Sequence, residues 1–269
     1  MHPTNASNTV RSLATSQTPT NNATDAASYF DKYFELVRAD TPELKRAAYQ
    51  LRFTVYCQQL KLPGFEPHRF PSGLEIDAYD SHSQQCFLRH RPSGDWAGIV
   101  RLVLPHPSDP DRPFPIEAEP ASPLTTDWHK DVDRQRVAEI SRLIVTEQFR
   151  RRRGEATTPY GAPTVSDRSN IDRRRSLPLP LLGLLGAVHT MAAENHIDHL
   201  LAAIDPSLNR RLRALGVDLE PIGPEIFMFG RRLPCLRSVS ALFANAKRVN
   251  PDAWDVMTNR GACWTSPSK

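Results

Sequence analysis

Residues 85–104 read QCFLRH, then RPSGD, then WAGIVRLVL, and the fold is decided there. Gln85–His90 and Trp96–Leu104 are rich in aromatic and branched residues, and Arg91-Pro92-Ser93-Gly94-Asp95 between them is turn chemistry. The stretch predicts an antiparallel hairpin. Val137–Val145 (VAEISRLIV) reads as a further strand, and so does His199–Ile204 (HLLAAI), which Asp205-Pro206 ends. Ahead of the hairpin, Tyr33–Ala39 (YFELVRA) is strand-like, and Thr41-Pro42 opens a helix as cap and first helical residue. Leu44, Ala47, Ala48, Leu51 and Val55 then recur at helical spacing. Leu181–Glu194 predicts a buried helix ended by Asn195, and Ser207–Leu215 a second one stopped by Gly216. Ile226–Phe229 and Leu236–Val239 suggest a last strand pair around Gly230. The order is β-α-(loop)-β-β-β-α-β-α-β-β, an α/β chain with a mixed sheet and flanking helices.

At 269 residues, 39% of them hydrophobic, the chain suits one α/β domain. Met1 to about Ser28 is a polar run of Ser, Thr, Asn and Ala, read as a disordered tail (1–28) before a single domain (29–269). That tail has no apolar segment of the signal-peptide kind. The longest apolar run, Leu177–Ala193, is broken by Pro178, Pro180 and His189, so no transmembrane segment is expected and the chain reads as cytoplasmic. The four cysteines, Cys57, Cys86, Cys235 and Cys263, form no CxxC pair and read as small buried hydrophobes. Lys plus Arg number 34 against 30 acidic residues, so only local clustering of charge carries meaning. One such cluster opens a basic loop over 150–176, where Arg150–Arg153 and Arg173–Arg175 lie. No nucleic-acid motif accompanies these arginines, and nucleic acid is not an expected partner. His189, His196 and His199 would share a face if one helix ran through all three, as metal ligands often do. Asn195 ends that helix first, and no metal site is expected.

Charge stands inside apolar elements at three places. Arg52 and Tyr56 lie four apart on the first helix; a helical arginine is also commonly a surface residue with its stem on the core. Glu75-Ile76-Asp77-Ala78-Tyr79-Asp80 crowds carboxylates that repel one another unless an arginine or cation lies between, although turn and helix capping would also use them. Arg101 sits amid the aliphatics of Gly98–Leu102, and Glu139, Ser141 and Arg142 interrupt another strand. Charges in an interior strand are costly unless paired, whereas on an edge strand they face water.

The ordered set RxxxY, ExDxYD, GxxRL and ExSR resembles the acyl-homoserine-lactone synthases and the N-acyl amino acid synthases, which share the GNAT-like (acyl-CoA N-acyltransferase) fold. With EISRLIVTEQFRRRRGE (139–155), DPSLNRRLRALGVDLEPIGP (205–224) and PDAW (251–254), the chain resembles more closely still the acyltransferases associated with the exosortase system that sorts PEP-CTERM proteins. The resemblance spans about residues 30–260. One departure concerns autoinducer synthases, which carry a tryptophan some ten residues after the helix arginine where this chain has Leu62.

What the resemblance implies is transfer of an acyl group, of long-chain type, from a carrier thioester to an amine such as an amino acid. The donor would be carried on acyl carrier protein phosphopantetheine or coenzyme A, with no bound cofactor. Arg52, Asp77, Asp80, Arg101, Glu139 and Arg142 would form a charged cluster beside the thioester, with Tyr56 and Ser141 contacting substrate. Glu139 would deprotonate or orient the amine, Asp77 and Asp80 would bind it, and Arg52 and Arg101 would hold the carboxylates. Arg150, Arg151, Arg152 and Arg153 would face the donor: RRRGEA (151–156) fits the letters of a coenzyme A loop, while a basic loop also suits an acidic carrier protein. Strict alternation puts Glu139 and Ser141 on one face and Arg142 on the other, so a bulge at this point is expected, or else Arg142 is structural. The alternatives are a homoserine lactone synthase, or a non-catalytic module that binds an acyl carrier or nucleic acid.

Overall fold

The computed structural model describes residues 25–120, 122, 124, 128–130, 132–150 and 177–262. The hairpin forms as expected, with β2 (Ser83–His90) antiparallel to β3 (Trp96–Val103). β1 (Phe34–Arg38) flanks β2, and β4 (Val137–Val145) flanks β3, both antiparallel. β5 (His199–Ile204) then joins β4 in parallel, and β8 (Arg231–Ser238) lies antiparallel on β5. Two short strands, β6 (Glu220–Pro221) and β7 (Ile226–Phe227), pair with β8, giving the order β1-β2-β3-β4-β5-β8-β6. The expected mixed sheet is therefore present.

Helices cover both faces. On one, α4 (Leu179–Glu194) lies in a core with Cys86, Leu88, Val100, Leu102 and Leu200, joined by residues of α1 (Ala26–Tyr33), α6 (Val239–Val249) and α7 (Pro251–Thr258). The helix is apolar all round because neighbours surround it. A Cβ on Gly186 would come within 2.8 Å of the Met257 carbonyl, so this glycine lets α4 and α7 touch backbone to backbone. On the other face lies α2 (Pro42–Phe53), capped by Thr41, whose hydroxyl accepts from Leu44 N at 3.3 Å. Its residues pack on Phe87, Ile99 and Ile144. Beyond Phe53 the helix widens into a π-turn over Thr54–Gln59, a form often found near functional sites. Two short helices, α3 (Glu147–Arg150) and α5 (Pro206–Ala214), follow β4 and β5.

Two expectations need correction. Ala26–Ser28, read as tail, begin α1: Asp25 caps the helix at Ser28 N, and Ala26 and Ala27 are buried. Val239, read as strand, begins α6, because the Ser238 hydroxyl caps Ala241 N. The rest of the tail, and residues 151–176 of the basic loop, lie outside the described residues, as does Cys263. Cys57, Cys86 and Cys235 are buried thiols. No described helix is long and apolar enough to cross a membrane.

Candidate active site

The site starts with a single extra residue in β4. Arg101 pairs with Ser141, and Ile99 with Ile144, so two residues of β4 oppose Val100. Arg142 sits at this bulge with φ 51°, a left-handed conformation that is costly for a branched or long side chain. The bulge resolves the parity conflict: Ser141 and Arg142 both reach the α2 face. It also coincides with the end of the parallel ladder, where Ile140 pairs with Ala202 and nothing follows. Beyond that point β4 and β5 diverge, and a cavity of about 150 Å³ occupies the split. Ile140, Leu185, Ala202, Leu208, Leu212 and Leu219 give it an apolar wall, while Tyr56, Glu139, Ser141, Arg142, Arg150 and Arg232 add polar atoms.

Beside the cavity stands a buried ion network. Gln85, Arg101 and Ser141 lie side by side across β2, β3 and β4. Arg52 reaches down from α2, and the 75–80 segment supplies carboxylates, tied to the helix by Glu75 N donating to the Tyr49 carbonyl at 3.1 Å. Arg101 is bidentate on Asp77 at 2.7 and 2.9 Å, donates to Asp80 at 3.0 Å, and uses Nε for the Ser141 hydroxyl at 2.9 Å. Arg52 donates to Glu75, to both Asp80 oxygens at 2.7 and 3.0 Å, and to Gln85 at 3.1 Å. Arg142 bridges Glu75 and Asp77, at 2.9 Å each, and its guanidinium lies over the rings of Tyr56 and Phe65 at 5.8 and 5.3 Å. Arg52 and Arg101 are fully buried, a costly arrangement that only this degree of pairing supports. Burial works to raise Glu75, but the charges of Arg142 and Arg52 prevail and hold it at about 2. Asp77 lies lower still for the same reason, with Arg101 the main partner opposing its burial.

Glu139 is different. It shares the face but forms no ion pair in the network; its Oε2 accepts from the Ile116 backbone N–H at 3.0 Å. Burial pushes its carboxyl up to about 8, only partly offset by Ile116, Arg101 and Arg142. Six of the expected residues, Arg52, Asp77, Asp80, Arg101, Ser141 and Arg142, are joined by hydrogen bonds, with Tyr56 against Arg142. Glu139 and Arg150 meet the same cavity without joining that network. Arg150 is buried on α3, while Arg151, Arg152 and Arg153 lie outside the described residues. Every oxygen of Asp77 and Asp80 accepts from an arginine, so in this structure the two carboxylates are engaged in the network. Glu75 was legible inside the ExDxYD motif and proves to be the most buried carboxylate of that segment. Ile116, and the Phe65–Phe229 contact (centroids 4.8 Å apart) between two cavity-lining rings, carried no motif. His189 packs on the Phe243 ring at 4.3 Å, and burial lowers its pKa to about 4. Among the described residues no group of metal-ligating side chains converges.

Residues 51–158 match the acetyltransferase (GNAT) domain. No curated protein sequence matches the chain. Among solved structures, TofI in a ternary complex with an inhibitor and MTA aligns with a TM-score of 0.52 at 18% identity, over 82% of this chain and 99% of that one. FeeM, an N-acyl amino acid synthase from uncultured soil microbes, aligns with 0.52 at 15% identity, over 80% and 96%. BjaI, a CoA-dependent acyl-homoserine lactone synthase solved with SAM and isopentyl-CoA, gives 0.48 at 17% identity, over 88% and 90%. The matched domain contains every member of the charged network together with Glu139, and the chain is accordingly an enzyme of the N-acyltransferase type on a GNAT fold.

Proposed function

We propose that the protein transfers a long-chain acyl group from an acyl carrier protein or coenzyme A thioester to the amine of an amino acid, with Glu139 as the general base. The observation that carries this reading is a buried carboxyl, raised to about 8, in the wall of an apolar cleft. A base poised near the working pH can take a proton from an ammonium-derived nucleophile without being permanently ionised. The acyl chain lies along Leu185, Leu208, Leu212 and Leu219, and the thioester carbonyl sits near the bulge. The amine nitrogen attacks that carbon as its proton passes to the Glu139 carboxylate. The tetrahedral oxyanion is held by donors at the bulge and by the Tyr56 hydroxyl. Its collapse expels the thiolate, which takes the proton back from Glu139, so an amide and a free thiol leave.

Asp77 and Asp80 act here as scaffolding for the three arginines rather than as amine ligands. The thioester's carrier enters past Arg150, and the arginine run 150–153 of the sequence suits an acidic carrier protein. The resemblance of the motifs to those of exosortase-associated acyltransferases favours the same substrate class. The test incubates the purified protein with acyl-coenzyme A and acyl-carrier-protein series and a mixture of amino acids, reading thiol release and product mass. An N-acyl amino acid that appears only with enzyme and donor is the expected outcome. Carrier binding with no acyl product from either series would replace catalysis with a binding role.

A further inference from the structure

The hydrogen bond to Glu139 comes from a segment with its own clasp. Glu117 accepts from Arg134 Nη1 and Nη2 at 2.9 and 2.6 Å, from the Trp128 indole at 2.9 Å and from Phe114 N at 2.8 Å. Arg134 also donates to the carbonyls of Arg112 at 2.9 Å and Pro110 at 3.2 Å, and lies over the rings of Phe114 and Trp128 at 5.1 and 5.8 Å. Between Phe114 and Glu117 stand Pro115, which lines the cavity, and Ile116, whose N–H meets Glu139 and whose side chain is buried with Val103, Val137 and Leu201. Arg134 belongs to the short turn Arg134–Arg136 that leads directly into β4. The clasp therefore fixes the Ile116 N–H relative to the strand that carries its acceptor.

We infer that Arg134, acting through Glu117, is a positioning residue that seats the Ile116 N–H against Glu139 and so sets the proton affinity of that carboxyl. The consequence for turnover rests on Glu139 being the base; the positioning itself does not. The other charges around Glu139 come from several elements. Arg101 on β3 and Arg142 on β4 favour its ionised form, and Glu117 opposes it. Tyr79, ahead of β2, feels its charge. Arg150, Asp205 and Arg232 line the same cavity. Removing Arg134 both loosens the Ile116 donor and leaves the Glu117 charge unneutralised, and the two effects push Glu139 the same way, upward.

The test titrates Glu139 in the full-length protein by infrared difference spectroscopy, following the C=O stretch of the protonated carboxyl. The band is assigned by its absence in Glu139→Gln. In Arg134→Met the midpoint should move to higher pH, on the order of one unit. Arg134→Lys keeps the charge but not the fork and should move it part of the way, in a variant expected to fold. A folded Arg134→Lys or Arg134→Met protein whose midpoint equals that of the wild type overturns the inference, whatever its activity. If instead the midpoint moves as expected while Glu139→Gln turns over normally, the positioning stands and the catalytic role of Glu139 falls.

Discussion

At the scale of single residues, Glu139 and Arg101 sit on adjacent strands but differ in role: Arg101 is tied into the ion network and Glu139 is not. Glu139→Gln keeps the shape and one acceptor, so the fold and donor binding should survive while kcat drops about a hundred- to ten-thousand-fold. The wild-type rate should rise with pH through about 8 as Glu139 ionises, and this rise should vanish in the variant. The same group bears on stability with a definite sign. Its folded-state pKa lies above the ordinary 4.5, so it contributes stability below 4.5 that is lost as pH climbs to about 8. At pH 8 Glu139→Gln should therefore melt no lower than wild type by calorimetry. Glu75 behaves oppositely: its contribution is present above 4.5 and is lost as pH falls toward 2, so urea midpoints should drop steeply across that interval. Arg101→Lys replaces a fork that holds Asp77, Asp80 and Ser141 by a point charge, leaving buried acceptors unmet at about 1–3 kcal/mol, measurable in the same urea titration. Most of these residues were legible because a charge amid aliphatics needs a partner. The partners' arrangement was not, since the sequence does not show which arginine meets which carboxylate.

At the scale of elements, β4 and α4 shape the cleft. Leu185 of α4 and Ile140 of β4 line both the main cavity and a small apolar void of about 10 Å³ behind it, which Val188, Leu200, Phe243 and Met257 enclose. Leu185→Ala should join the two spaces. The change costs roughly 2–5 kcal/mol as a core truncation, yet should shift donor preference toward longer chains, read by competition between acyl thioesters of different length. An unchanged preference would place the acyl chain elsewhere. The strands of this region were legible to the residue, as VAEISRLIV and HLLAAI show, because alternation and β-branched residues mark them. The bulge was visible only as a conflict of parity between Ser141 and Arg142. α6 and α7 were not read from the sequence, although Ser238 and Asn250 cap them and Pro251 opens the second.

At the scale of the whole molecule, the chain closes on itself near its beginning. Arg260 donates to Asp25 and Asp31 at 3.0 Å each and to Ser28, and Phe30 packs into the core beneath α4. Deleting residues 1–28 should therefore lower the melting temperature relative to deleting 1–24, because only the longer cut removes the Asp25 cap and the buried Ala26 and Ala27. Equal melting of the two truncations would show that α1 adds nothing to stability. A polar composition hid this boundary, since two alanines and a capping aspartate look like the rest of the tail. The ion network has a bearing at this scale too. Three guanidiniums stand against three carboxylates within a few side-chain lengths, so from the cleft they act as a compact multipole rather than as a net charge. Such a field dies away faster than that of a lone ion, and because most of its members are buried mobile salt screens it little. With Glu139 as the proposed base, kcat should therefore change little with ionic strength, while docking of a charged carrier on the exterior should weaken as salt rises.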